Sequence, residues 1–203
     1  MKRIVLMTLL ALVLPVAALA GDVDFSNNGG TLAGSSSGLT LTGSELTSVT
    51  GFGGGGLIQG ALGSLSFTTG ALMSGNMTSG AIFSGGGTFT ITSNGAGGLP
   101  AGVIFSGTFS GPVTWSTPDS VGYDGSIIYN LSGKISGTWW NGTTVTGVST
   151  QLTFHTGRRG FQGEVSLGSG DTVIVTTPEP GTLGLLGTGL VGLAGLIRRK
   201  LKS

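Results

Sequence analysis

Apolar and hydroxyl residues alternate in short runs through the middle of this chain, and that period of two limits what it can fold into. Gly38–Thr42 reads GLTLT, Ser64–Thr68 reads SLSFT and Gly87–Ser93 reads GTFTITS. In an extended strand, successive side chains point to opposite faces, so each run makes one apolar face and one hydroxyl face. The run at 102–110 places Val103, Phe105 and Phe109 on one face of a regular strand, and 126–131 reads SIIYNL. Val145, Val148, Leu152 and Phe154 do not share one strict phase, and a bulge within 143–154 reconciles them. Phe161–Leu167 and Thr172–Thr176 complete the series. Turn signals separate the runs: Asn28-Gly29-Gly30, Asn94-Gly95, Asp124-Gly125, Asn141-Gly142 and Ser169-Gly170-Asp171.

Composition agrees with strands and disfavours helices. Residues 21–177 hold 36 Gly and 46 Ser+Thr, over half of the segment. Glycine costs a helix about 1 kcal/mol relative to Ala, and the strong helix formers Glu and Lys are nearly absent. A Gly/Ser linker is excluded by the 14 aromatic residues, all of which fall between Phe25 and Phe161. The segment 51–63, GFGGGGLIQGALG, reads as a loop over the core, and 70–87 reads as irregular. Ile82-Phe83-Ser84-Gly85 recurs as Ile104-Phe105-Ser106-Gly107, one echo that does not make a repeat. Many short strands with frequent turn signals predict an all-β body, a single antiparallel β-sandwich or barrel-like domain over 21–177.

The two ends are of another kind. Residues 1–20 carry Lys2 and Arg3, an apolar run from Ile4 to Ala18, and the small-residue site Ala18-Leu19-Ala20. This order predicts a secretory signal helix cut before Gly21. At the other end, Pro178-Glu179-Pro180 ends the folded body. Gly181 to Ile197 then runs without a charge, and Arg198, Arg199 and Lys200 follow at once. As a helix this run spans roughly 25 Å, slightly under the ~30 Å hydrocarbon core, and its basic end is expected to stay cytoplasmic. The expected division is 1–20 signal peptide, 21–177 β-domain and 178–203 tail.

Pro178-Glu179-Pro180, the Gly/Leu-rich span and Arg198-Arg199-Lys200, in that order, closely resemble the PEP-CTERM sorting signal of Gram-negative bacteria. The resemblance covers the last 26 residues, with Thr177 where the common pattern has Val. It implies recognition of Pro178, Glu179 and Pro180 by exosortase, a membrane protease-transpeptidase, with the basic cluster as the stop. It also implies a membrane anchor before processing, a cell-surface or extracellular destination, and association with exopolysaccharide and biofilm.

Chemistry is sparse in the body. The chain has no Cys and one His, which excludes disulfides and cysteine metal sites. Asp22, Asp24, Glu45, Asp119, Asp124, Glu164 and Asp171 outnumber Lys134, Arg158 and Arg159, a net charge of −4 that disfavours nucleic acid. No cofactor or metal is expected. His155 with Glu164 or Asp171 is a poor basis for a catalytic triad, and it reads as a histidine near a strand end. Asp22, Asp24, Asn27 and Asn28 lack calcium-loop spacing and read as turn residues. The aromatic residues offer the best binding candidates. Asp119 and Asp124 flank a turn with Tyr123 and Trp115 nearby in sequence, a candidate sugar-contacting patch, and Trp139 and Trp140 are adjacent, so one faces the core and the other solvent, where it could stack on a sugar ring with Tyr129 or Trp115. The leading expectation is a non-enzymatic matrix or envelope protein. A carbohydrate-binding module is the alternative, and a secreted hydrolase is the remote one.

Overall fold

The computed structural model describes residues 21–117 and 125–176. They form twelve strands: β1 (Gly21–Asn28), β2 (Thr31–Ser35), β3 (Gly38–Thr50), β4 (Ile58–Thr68), β5 (Leu72–Asn76), β6 (Gly80–Phe83), β7 (Gly86–Ser93), β8 (Gly102–Phe109), β9 (Val113–Ser116), β10 (Ile127–Trp139), β11 (Thr144–Thr156) and β12 (Glu164–Thr176). Two 3-10 turns, Phe52–Gly54 and Ala96–Gly98, are the helical elements among the described residues.

Eight strands close into an antiparallel barrel. β3 pairs with β4, β4 with β7, β7 with β8 and β8 with β10. β10 pairs with β11, β11 with β12, β12 with β2, and β2 returns to β3. The remaining strands extend this ring. β1 continues β2 along β3 and β12, β9 continues β8 along β10, and β6 continues β7 along β9. β5 follows β4 in the chain and pairs with β6. The result is an up-and-down ring of eight staves: β1/β2, β3, β4/β5, β6/β7, β8/β9, β10, β11 and β12. Of the two architectures compatible with the sequence, the barrel is the one realised. The expected signal and membrane helices lie outside the described residues.

The interior is packed with side chains. Leu39, Leu41, Leu65, Phe67, Phe89 and Ile91 are buried, as the alternating runs require, while Thr40, Ser64, Ser66 and Thr88 face out. An eight-stranded barrel is just wide enough for side chains to fill it. Phe67 and Phe89 stack with centroids 6.0 Å apart, and Phe109 meets both rings edge-on at 5.5 and 5.8 Å. Each such pair adds about 0.5–1.5 kcal/mol beyond area burial. Gly133 makes room for this cluster: a Cβ there would lie 2.8 Å from two carbons of the Phe109 ring. An apolar interior with a hydroxyl exterior is the reverse of the pattern in barrels that span membranes, whose outer band is apolar.

The staves break where the wall must bend. β4/β5 breaks at 69–71, β6/β7 at 84–85 and β8/β9 at 110–112, in neighbouring staves. A Cβ on Gly85 would sit 2.8 Å from the Phe109 carbonyl and 2.9 Å from that of Gly111, so the backbones touch along this crease. β1/β2 breaks at Gly29-Gly30, where Gly30 has φ 80° and a Cβ would lie 2.6 Å from the Thr42 carbonyl. Such kinks close a twisted sheet into a barrel.

Several expectations are corrected. Asn28-Gly29-Gly30 is a kink within one stave and does not reverse the chain. Ser169-Gly170-Asp171 lies inside β12, where the register shifts between Thr153 and Phe154 of β11. The expected loop at 51–63 ends at Leu57, because 58–63 belongs to β4, and 70–87 contributes β5, β6 and the start of β7. Val103 is 52% exposed, although Phe105 and Phe109 are buried. The register with β7 shifts there: Ile91 faces Phe105 while Thr92 faces Val103, so Ile104 is the extra residue of a bulge. The bulge expected in 143–154 is present: Ile135 faces Val148 and Gly137 faces Val145, leaving all four apolar residues of that run buried.

Candidate functional site

The ring has two unlike ends. Asp22 and Val175 lie at one, together with the connections 51–57, 94–101 and 140–143. This is the near end. The far end carries the connections 36–37, 77–79 and 157–163. A 13-residue strand tilted as in small barrels separates the ends by roughly 30 Å.

Trp139 and Trp140 sit at the near end, where β10 turns into β11. The turn is tight: Gly142 N–H donates to the Trp139 carbonyl at 2.9 Å, and Thr143 N–H donates to Asn141 Oδ1 at 3.0 Å. Trp139 points inward against Phe25 (5.9 Å), Phe105 (5.9 Å) and Phe52 (6.0 Å). Trp140 points outward and is 55% exposed. Its backbone N–H donates to the Ile104 carbonyl at 2.9 Å, which brings it alongside exposed Val103.

Trp115 and Tyr129 do not belong to a surface platform. Both are buried, stacked at 4.6 Å and 13° beneath the far end. Phe154 and Phe161 close around Trp115 at 5.4 and 5.6 Å. The β5–β6 hairpin tip folds over this cluster. Trp115 Nε1–H donates to the Met77 carbonyl at 3.0 Å, and the Tyr129 hydroxyl donates to the Thr78 carbonyl at 2.9 Å. The same hydroxyl accepts from Phe161 N–H at 3.3 Å. The two polar ring atoms are thus spent in holding the tip. Nothing local in the sequence announces this contact, because Met77 lies 38 residues from Trp115.

The polar candidates are scattered. His155 is exposed on β11 opposite Ile128, and it makes no hydrogen bond or ion pair with Glu164 or Asp171. The structure therefore does not assemble a triad around it. Asp22 and Asp24 lie on β1, with Asn27 on its opposite face. Asn27 is buried and donates through Nδ2 to Ser44 Oγ at 2.7 Å, while its Oδ1 has no partner. Burial pushes the Asp24 carboxyl above the usual range, and the Asp171 carboxylate adds to the rise. A hydrogen bond from the Phe25 backbone pulls the other way. No group of three or more His, Cys, Asp or Glu among the described residues could hold a metal ion. The outer wall has a groove over β9, β10 and β11, about 500 Å³ in volume, lined by Pro112, Thr114, Ser132, Gly133, Lys134 and Gln151 among others.

Asp119, Tyr123, Asp124, Ala18, Ala20, Pro178, Glu179, Pro180, Arg198, Arg199 and Lys200 lie outside the described residues; Gly21 opens β1.

Comparison with known proteins bears on the tail. Residues 176–200 match the family model of the PEP-CTERM protein-sorting motif. The match begins on Thr176, the last residue of β12, and takes in Pro178-Glu179-Pro180 and Arg198-Arg199-Lys200. No curated protein and no solved structure is similar to the chain. The chain therefore carries a PEP-CTERM sorting signal, which marks an exported protein addressed to exosortase, directly after a closed β-barrel.

Proposed function

We propose that the chain is a non-enzymatic structural protein of the cell surface or extracellular matrix, delivered by exosortase and associated with exopolysaccharide and biofilm. One observation carries the reading: the sorting motif begins where the last barrel strand ends. The address is thus joined to a body filled by its own side chains. In this reading residues 1–20 form a signal peptide cut after Ala20, and 181–197 hold the precursor in the membrane. Arg198, Arg199 and Lys200 stay cytoplasmic, and the enzyme cuts near Pro178-Glu179-Pro180. The hydroxyl exterior fits a hydrated polysaccharide matrix, because Ser and Thr both donate and accept hydrogen bonds.

The test is the mass and location of the protein in cells with and without exosortase. The expected result is a mature species that has lost both ends in the parent strain. The deletion strain should hold a membrane-bound form that keeps residues 178–203. An unchanged mass would reduce the tail to a plain anchor.

A carbohydrate-binding module is the second reading, favoured by the exposure of Trp140 on the β10–β11 turn. Glycan arrays probed with the processed protein separate the two. Sub-millimolar binding that Trp140→Ala abolishes would favour the module, whereas binding that survives that substitution or is absent favours the structural role.

A further inference from the structure

We propose that, before processing, the near end of the barrel rests against the phospholipid surface, with Trp140 and Val103 as its contact. The inference rests on the reading of 181–197 as a membrane anchor. β12 ends at Thr176 at the near end, and the uncharged run begins at Gly181. Four residues join them, and four extended residues reach at most about 14 Å. The near end is therefore tethered to the membrane at close range, and the far end is held away from it by the height of the barrel.

What that end presents suits the headgroup region. Trp140 is 55% exposed on the β10–β11 turn, Val103 is 52% exposed on neighbouring β8, and Leu57 is 59% exposed on the β3–β4 connection. Tryptophan is enriched at membrane interfaces because its ring is apolar while its N–H stays hydrated. The acidic groups at this end lie on other staves than Trp140 and Val103. Asp22 and Asp24 lie on β1 and Asp171 on β12, which β11 separates from β10.

The chain has no native cysteine, so single labels report cleanly. Val103→Cys, Leu57→Cys and Arg159→Cys, each in the full unprocessed chain, are labelled with a nitroxide and reconstituted into phosphatidylcholine vesicles. Collision with oxygen and with a water-soluble nickel chelate gives the depth of each label. The expected result is an oxygen-to-nickel ratio several-fold higher at 103 and 57 than at 159, on the far-end connection. Adding Trp140→Ser should lower the ratio at 103 toward the value at 159. If the chain floats with the vesicles while all three labels report bulk water, the proposal is wrong and the anchor stands. If the chain does not float, the anchor reading fails and takes the proposal with it. Dipolar broadening between labels at 103 would instead put a second copy of the chain on this edge, and would also overturn the proposal.

Discussion

The two ends of the barrel are built from the same eight staves, yet their tryptophans are held differently: Trp115 is buried under a hairpin, whereas Trp140 faces out. At the far end the β5–β6 hairpin folds back over the mouth, and Trp115 and Tyr129 hold its tip through their polar atoms. At the near end the β10–β11 turn is too short to cover anything, so Trp140 stays outside while Trp139 fills the core. The connections decide the difference, because the strands impose only the inward and outward alternation. The two tryptophans should therefore respond very differently to truncation. Trp115→Ala removes a buried ring and the contact to Met77, and is expected to cost about 3–5 kcal/mol. Trp140→Ala removes an exposed ring and should stay within about 0.5 kcal/mol. Denaturant unfolding of both variants checks the contrast, and equal losses would break it.

A smaller change isolates the far-end latch from its packing. Tyr129→Phe keeps the ring stack but removes the hydroxyl that serves both the Thr78 carbonyl and the Phe161 N–H. Leaving those groups unpaired is expected to cost about 1–3 kcal/mol. The opening should be local, since hairpin tips exchange through sub-global fluctuations. Hydrogen exchange at 76–80 and 161 should accelerate, while the amides of Trp139, Trp140 and Gly142 should not. Uniform acceleration would mean that the latch stabilises the whole barrel rather than one end.

How much of this was legible in the sequence depends on which residues carried the information locally. The runs at 38–42, 64–68 and 87–93 held their inward and outward faces because nothing interrupts the period of two. The displaced phase of Val145, Val148, Leu152 and Phe154 was itself the signature of a bulge. Val103 was misplaced for the converse reason: an apolar residue on each side of a bulge gives no sign that the phase has slipped. Asn28-Gly29-Gly30 and Ser169-Gly170-Asp171 looked like turns because glycine serves kinks and turns alike, and only strand pairing distinguishes them. At the candidate site, the opposite facing of Trp139 and Trp140 followed from adjacency. The burial of Trp115 and Tyr129 did not, since their cover comes from a hairpin 38 and 51 residues away. The sorting signal was legible because its meaning lies in linear order rather than in packing.

The last comparison is within the near end, between its apolar edge on β8 and β10 and its acidic edge on β1 and β12. Asp24 is partly buried beside Asp171, and both effects favour its neutral form in the folded protein. Its folded pKa therefore lies above the ordinary value of 3.8. Below that value the carboxyl is protonated in both the folded and the unfolded chain, and the shift costs nothing. As pH rises from there through the folded value, the unfolded chain loses its proton first, and stability falls to a lower plateau. Asp24→Asn removes that loss. At pH 7 the variant should be slightly more stable, by about 0.5 kcal/mol or less for a site this open to water. That corresponds to a rise of about one to two degrees in Tm. The gain should shrink below pH 4, and screening by salt should reduce the part due to Asp171. A gain that is the same at pH 3 and pH 7 would mean that the carboxylate charge is not its source.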